Sequence, residues 1–162
     1  MRRKIKWIGL IIVVLGCAIQ LYQPDRLNPP VDESRTIYAS IQVPPEVRAV
    51  IERSCNDCHS YQTKWPWYSY IAPASWLVSN DVSQGRLHLN FSTWADYKKN
   101  RKANKLDGIA DEVSDKTMPL KKYTLLHLSA KLSDSDIELI SRWAEKEREK
   151  LSAPDSVEGD TK

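Results

Sequence analysis

Cysteine is scarce in this chain of 162 residues: Cys17, Cys55 and Cys58 are all there is. An odd and sparse set excludes a disulfide framework. There is no second C-x-x-C and no H-x-x-x-H, so a zinc module would lack the four ligands it normally uses. Methionine occurs twice, once as the initiator, and phenylalanine once, against six Trp and seven Tyr. Large rings with a polar edge suit the rim of an apolar pocket. No alternating strand pattern and no internal repeat is visible. The formal charge of +3 is local in origin. With Arg2, Arg3, Lys4 and Lys6 set aside, 20 of the 24 Lys and Arg face 21 Asp and Glu. A near-neutral remainder argues against a nucleic-acid binder, which needs a basic face.

The four early basic residues precede a run of sixteen mostly apolar residues, 7–22, with no acid before it. Such a start is an export signal or an anchor. An uncleaved, single-pass anchor is favoured because apolar residues continue past Cys17 to Tyr22. The alternatives are lipidation at Cys17, where Val14-Leu15-Gly16-Cys17 resembles a lipobox, and cleavage after Ala18. The bland role for Cys17 is a small apolar filler. Lys and Arg stay cytoplasmic, so the remainder is expected outside a bacterial inner membrane, facing the periplasm.

The expected division is residues 1–22 as signal anchor, 23–42 as a Pro-, Asp- and Ser-rich linker, 43–151 as a helical domain, and 152–162 as a disordered tail. Pro44 and Pro45 open a helix. Val47, Val50, Ile51 and Cys55 share one of its faces, which carries Cys55 toward the core. A second helix is expected from near Pro73, turning Trp76 and Leu77 inward and ending at Gly85. Ser92 is a candidate cap for a short helix bearing Trp94 and Tyr97. Leu106, Ile109, Ala110 and Val113 mark another amphipathic helix. Ser133 with Asp136 resembles a capping box ahead of a helix that buries Ile137, Ile140, Trp143 and Ala144.

The chemistry is concentrated in Cys55-Asn56-Asp57-Cys58-His59. C-x-x-C-H is the attachment signature of c-type haem. Two thiols one helical turn apart can each add to one of the two haem vinyl groups, and the following His points its ring at the iron. One covalent haem c, held by Cys55 and Cys58 with His59 as proximal iron ligand, is therefore expected. A redox C-x-x-C expects a βαβ setting, which this helical pattern lacks. For the opposite face of the iron the candidates are Met118, His88 and His127. Met118 is favoured, lying in Thr117-Met118-Pro119 after an amphipathic helix and 59 residues beyond His59. The two histidines read more blandly as packing or hydrogen-bonding groups. The ring-rich stretch 64–70 is either a wall of the haem pocket or ordinary packing. The basic run 98–102 is either a docking patch for an acidic redox partner or a solvated helix face.

These strings together resemble a bacterial family of short, anchored haem-binding domain proteins. The resemblance rests on residues 55–60, Trp65-Pro66-Trp67-Tyr68-Ser69, residues 71–76, Gly85-Arg86, residues 88–94, Met118-Pro119 and residues 123–132, and covers about residues 43–146. It implies haem binding through Cys55, Cys58 and His59. Independently, the order of parts is like a small class I cytochrome c: an all-α domain around one covalent haem, with a helix running into C-x-x-C-H, a Met on a loop, and a closing helix. The expected function is one-electron transfer to an unidentified redox protein rather than catalysis. The alternative is a haem peroxidase or a gas or redox sensor with an open sixth coordination site. A structural zinc module is disfavoured.

Overall fold

The computed structural model describes residues 2–152, which form helices and turns with no strand. The eight α-helices are α1 Arg2–Gln20, α2 Ile37–Ser40, α3 Pro45–Ser54, α4 Asn56–His59, α5 Ala74–His88, α6 Lys99–Ser114, α7 Lys121–Leu126 and α8 Asp134–Ser152. Short 3-10 turns interleave at Glu33–Arg35, Trp67–Tyr70, Phe91–Asp96 and Leu128–Ala130. The architecture is that of a small, cytochrome-like helical domain. Apart from Ser152, the expected tail lies outside the described residues.

The long pair α6 and α8 forms the back of the domain. Leu106, Ala110 and Val113 recur at helical spacing on α6, and Ile140, Trp143 and Ala144 on α8, and all are buried. Val47 and Ile51 of α3 join Phe91 and Trp94 against this pair. Val50 meets Val113 and Ile140 in a second cluster. Burying each such side chain stabilises by about 1.5–3 kcal/mol before entropy is counted. The α8 start is a reciprocal capping box. The Asp136 N–H donates to the Ser133 hydroxyl at 3.1 Å, and the Ser133 N–H donates to the Asp136 carboxylate at 2.9 Å.

Residues 23–42, expected as a spacer, fold back onto the domain instead. Ile37 is fully buried in the main cluster, with Tyr38 and Ile41 packed around it. The Trp143 indole donates to the Gln42 carbonyl at 3.1 Å. Arg86 clamps the earlier part of the segment. Its guanidinium donates to the Leu27 carbonyl and the Asn28 side-chain oxygen, both at 2.8 Å, while also reaching Ser60 and Thr63.

Three local expectations also change. Gly85 lies inside α5, not after it, because a Cβ there would collide with the Cys58 carbonyl. Ser75 and Val82 of α5 are buried and Leu77 lines the central cavity, whereas Trp76 turns to the end of α1, donating its indole N–H to the Tyr22 carbonyl. Asn90, not Ser92, caps the turn at Phe91–Asp96, accepting the Ser92 N–H at 2.9 Å. The Ser92 hydroxyl accepts from the Tyr61 N–H instead.

The apolar run at the N-terminus forms α1, which has no buried residue. Among the described residues, no helix is long and apolar enough to cross a membrane, so the expected spanning segment is not found. Four basic residues occupy its first turns, which shortens the apolar length.

Candidate functional site

The C-x-x-C-H turn is built by α3 delivering Cys55 at its C-terminal cap. The Cys55 N–H closes the helix on the Ile51 carbonyl at 2.9 Å, and Cys55 then starts α4. One helical turn separates Cys55 from Cys58, and His59 follows at the end of α4. Backbone and side chains lock this turn. The Ser60 hydroxyl donates to Asn56 O and accepts from the Gln62 N–H. The Thr63 hydroxyl donates to Asp57 O at 2.7 Å, and Arg86 Nε donates to Ser60 O at 2.8 Å. The Asp57 carboxylate, between the cysteines, accepts the Lys64 N–H at 2.9 Å and the Tyr123 hydroxyl at 2.7 Å.

His59 is oriented by its inner nitrogen. Nδ1 lies 3.0 Å from the Gly85 carbonyl and 3.1 Å from the Leu89 carbonyl. Both partners are acceptors, so Nδ1 carries the proton and Nε2 holds the free lone pair. Burial also pushes the imidazole pKa down, against the pull of the two carbonyls, and this favours the neutral, ligating form. Phe91 stands edge-on to the ring at 6.2 Å. The arrangement is the usual one for a metal-bound His, with its second nitrogen donated to backbone.

These groups open onto one cavity of about 700 Å³ between α3–α4, α5, α6 and α7. Its lining is mostly apolar, including Ile51, Val82, Phe91, Ile109, Val113 and Ile140. Cys55, Cys58, His59 and Met118 all line it, as does the exposed His88 at its edge. The size and character are those of a cofactor site.

Met118 reaches the cavity through a specific helix ending. Lys116 takes a left-handed conformation, φ 57°, just after α6. The Lys116 N–H bonds Val113 O at 3.1 Å and the Thr117 N–H bonds Glu112 O at 3.0 Å, the two bonds of a Schellman motif. The Met118 N–H adds a third bond, also to Glu112 O.

His127 is committed elsewhere and is not part of the cavity lining. Its Nε2 pairs with the Tyr68 hydroxyl at 2.7 Å, and its ring stacks on Tyr123 at 4.4 Å. In the ring-rich stretch, Lys64, Pro66 and Tyr68 line the cavity whereas Trp67 and Tyr70 face outward. Lys98 to Lys102 sit at the start of α6, mostly exposed.

The surroundings shift both thiols in the same direction. Burial first, then the neighbouring Cys58, pushes Cys55 up to about 12. Burial and Asp57 push Cys58 up to about 11. Both shifts favour the protonated thiol. Among the described residues no three His, Cys, Asp or Glu side chains converge as a metal-ion cluster. A haem fits the donor set better: two thiols one turn apart, an imidazole with a free Nε2, a thioether, and apolar walls.

Sequence reasoning overlooked Arg86, Tyr123 and Asp57 as organisers of this turn. The available signal was their position, Asp57 between the cysteines and the other two inside the strings quoted above.

Residues 14–146 match the family described as the haem-binding domain. The chain is 30% identical over 103 residues to the cytochrome c peroxidase Ccp of Escherichia coli (strain K12), a match that takes in 60% of this chain and 22% of that protein. The chain therefore spans less than a quarter of that relative. No solved structure matches.

Proposed function

The chain belongs to the haem-binding domain family, and from that premise we infer that it is a c-type cytochrome carrying one covalent haem and passing single electrons. The observation that carries this reading is the mostly apolar cavity onto which Cys55, Cys58, His59 and Met118 all open. Cys55 and Cys58 would hold the haem by thioether bonds to its vinyl groups. His59 Nε2 would ligate the iron, its ring fixed by the Gly85 and Leu89 carbonyls. The Met118 thioether would take the opposite position and leave none for substrate. The bound haem supplies a reversible one-electron couple. The chain excludes water with Ile51, Phe91 and Ile140 and presents the cavity mouth to a redox protein. The class I cytochrome arrangement, with α3 set against α8 beside the haem, belongs to the same proposal.

A peroxidase or sensor is the second reading, and the similarity to a named cytochrome c peroxidase favours it. A match limited to 22% of that protein suits a haem-holding segment better than a whole catalyst. The two readings differ in whether the sixth position is closed.

For location, we propose attachment to a bacterial inner membrane through α1, with the haem domain on the periplasmic side. The support is the basic start and the exposed apolar length of α1.

The test of haem attachment is denaturing electrophoresis with a haem stain, after expression with periplasmic maturation machinery. The wild type should keep the stain, and the chain with Cys55→Ala and Cys58→Ala should lose it. A stain that survives the double substitution, or bound zinc in place of iron, would contradict covalent attachment.

A further inference from the structure

Because residues 23–42 fold back, nothing lifts the domain away from α1, and the foot of that helix is bonded into the domain surface. The Gln20 amide donates to the Tyr70 carbonyl at 2.6 Å and accepts the Ala72 N–H at 2.9 Å. Trp76 Nε1 donates to the Tyr22 carbonyl at 2.8 Å, and the two rings meet edge-on at 6.1 Å. The Arg26 guanidinium sits 4.4 Å over the Tyr70 ring and donates to Ser69 O at 3.1 Å. Helix α1 therefore leaves the domain at a fixed place.

The two segments that meet there carry exposed apolar and aromatic side chains. Leu21 is 89% and Trp67 76% exposed, with Tyr22, Tyr70 and Ile71 beside them in the sequence of the same two segments. None of these five lines the haem cavity, so a bound haem does not cover them. Trp and Tyr favour the membrane–water interface, where a ring can be half in and half out of the apolar phase.

The choice of a lipid surface over a protein groove rests on α1. A helix that docks in a groove is apolar along one stripe. From Trp7 to Leu15 the large apolar residues of α1 are exposed on every side. Its charges are all basic and lie at the far end, at Arg2, Arg3, Lys4 and Lys6. From Trp7 to Gln20 the helix rises about 21 Å, short of a hydrocarbon core of about 30 Å. Apolar surface at its foot would extend the same phase onto the domain.

We propose that Leu21, Tyr22, Trp67, Tyr70 and Ile71 form a collar seated in the headgroup layer, so that the haem domain rests flush on the bilayer. This rests on the membrane attachment proposed above and adds the face that meets the lipid. Tyr68, adjacent to Trp67, lines the cavity. One edge of the haem site then lies close to the membrane plane, within reach of a membrane-embedded redox partner.

The test uses the full haem-loaded chain in vesicles of phosphatidylethanolamine and phosphatidylglycerol containing a phospholipid with a photoactivatable acyl chain. Labelled peptides are mapped by mass spectrometry after flotation. Label is expected on 67–71 as well as on α1, several-fold above that on the start of α6 at 98–102. Trp67→Ser with Tyr70→Ser should remove the 67–71 label while leaving the α1 label and the haem spectrum unchanged. If the chain floats but label stays confined to α1, the collar is overturned and that face belongs to a protein partner. If the chain does not float, the attachment reading fails, and the collar with it.

Discussion

The Tyr123 hydroxyl donates to the Asp57 carboxylate at 2.7 Å, so the side chain between the two cysteines holds the helix that follows Met118. This bond joins the α4 and α7 sides of the cavity through residues 66 apart in sequence. Tyr123→Phe keeps the ring stacked on His127 but releases this bond. A hydrogen bond to a carboxylate is worth about 1.5–3 kcal/mol. We expect a loss near the lower end of that range in urea unfolding, because both groups are half-buried. An unchanged midpoint would show that packing and the Lys122–Asp81 ion pair hold α7 without this bond.

Gly85→Ala sets two effects against each other. Inside a helix, Ala is favoured over Gly by about 1 kcal/mol. Here the new methyl would strike the Cys58 carbonyl, a backbone atom that cannot swing away. Overpacking of this kind costs about 1–3 kcal/mol, so destabilisation should win. The same shift would disturb the attachment turn, and the yield of covalently loaded protein should fall. A variant more stable than wild type in denaturant would show that α5 and α4 are free to separate.

Ser133→Ala should cost about 1 kcal/mol by removing half of the α8 capping box. The Asp136 half is titratable. Partial burial works to raise its pKa, but bonds from the Ser133 N–H and hydroxyl and from Arg53, 3.0 Å away, hold it below the usual carboxylate range. A lowered folded-state pKa contributes stability that is full above the ordinary value of about 3.9 and is lost as pH falls through the folded value. Wild type should therefore lose stability relative to Asp136→Asn as pH is taken from 6 to 3 (about the carboxylate range). Parallel urea midpoints for the two proteins across that interval would show that the box is uncharged in effect.

Met118→Ala should open the sixth position, shift ferric haem toward high spin, admit CO to the ferrous form and lower the potential, since sulfur favours the ferrous state. His88→Ala should leave the optical spectrum largely unchanged. So should His127→Ala, whose ring is engaged by Tyr68 and Tyr123. Loss of the low-spin spectrum in a histidine variant, with Met118→Ala silent, would move the ligand to that histidine. A wild type that binds CO readily would favour the peroxidase or sensor reading.

What could be read from the sequence was whatever depends on neighbours close along the chain. Val47, Val50 and Ile51 announce α3 by their spacing, as do Leu106, Ala110 and Val113 for α6. Ser133 and Asp136 are three apart and find each other within one turn. What could not be read depends on distant partners. The usual stop signal of a glycine fails at Gly85 because α5 passes against Cys58, and no local pattern reports that approach. Residues 23–42 have no helical period, so nothing local says that Ile37 is a core residue or that Leu27 meets Arg86. The apolar run at the N-terminus is legible as a helix, but its basic first turns leave it short of a span. The Asn90 cap displaced Ser92 because the Ser92 hydroxyl is taken by Tyr61, a partner 31 residues away.

The four hydrogen bonds of Arg86 also define a load path. A tug on the N-terminal segment is first resisted where Gln20, Tyr22 and Arg26 grip the 69–76 backbone and ring edges. Beyond them the tension runs through Leu27 and Asn28 into one guanidinium, and from it into Ser60 and Thr63, immediately past His59. A direct bond from the Asn28 amide to the Thr63 carbonyl at 2.8 Å runs beside it, so residues 27–28 meet the C-x-x-C-H turn through that bond and one planar group. Its donors point along fixed directions, so all four acceptors must stay in register with one plane. The N-terminal strap acts as a clasp on that turn, and whatever loosens one slackens the other.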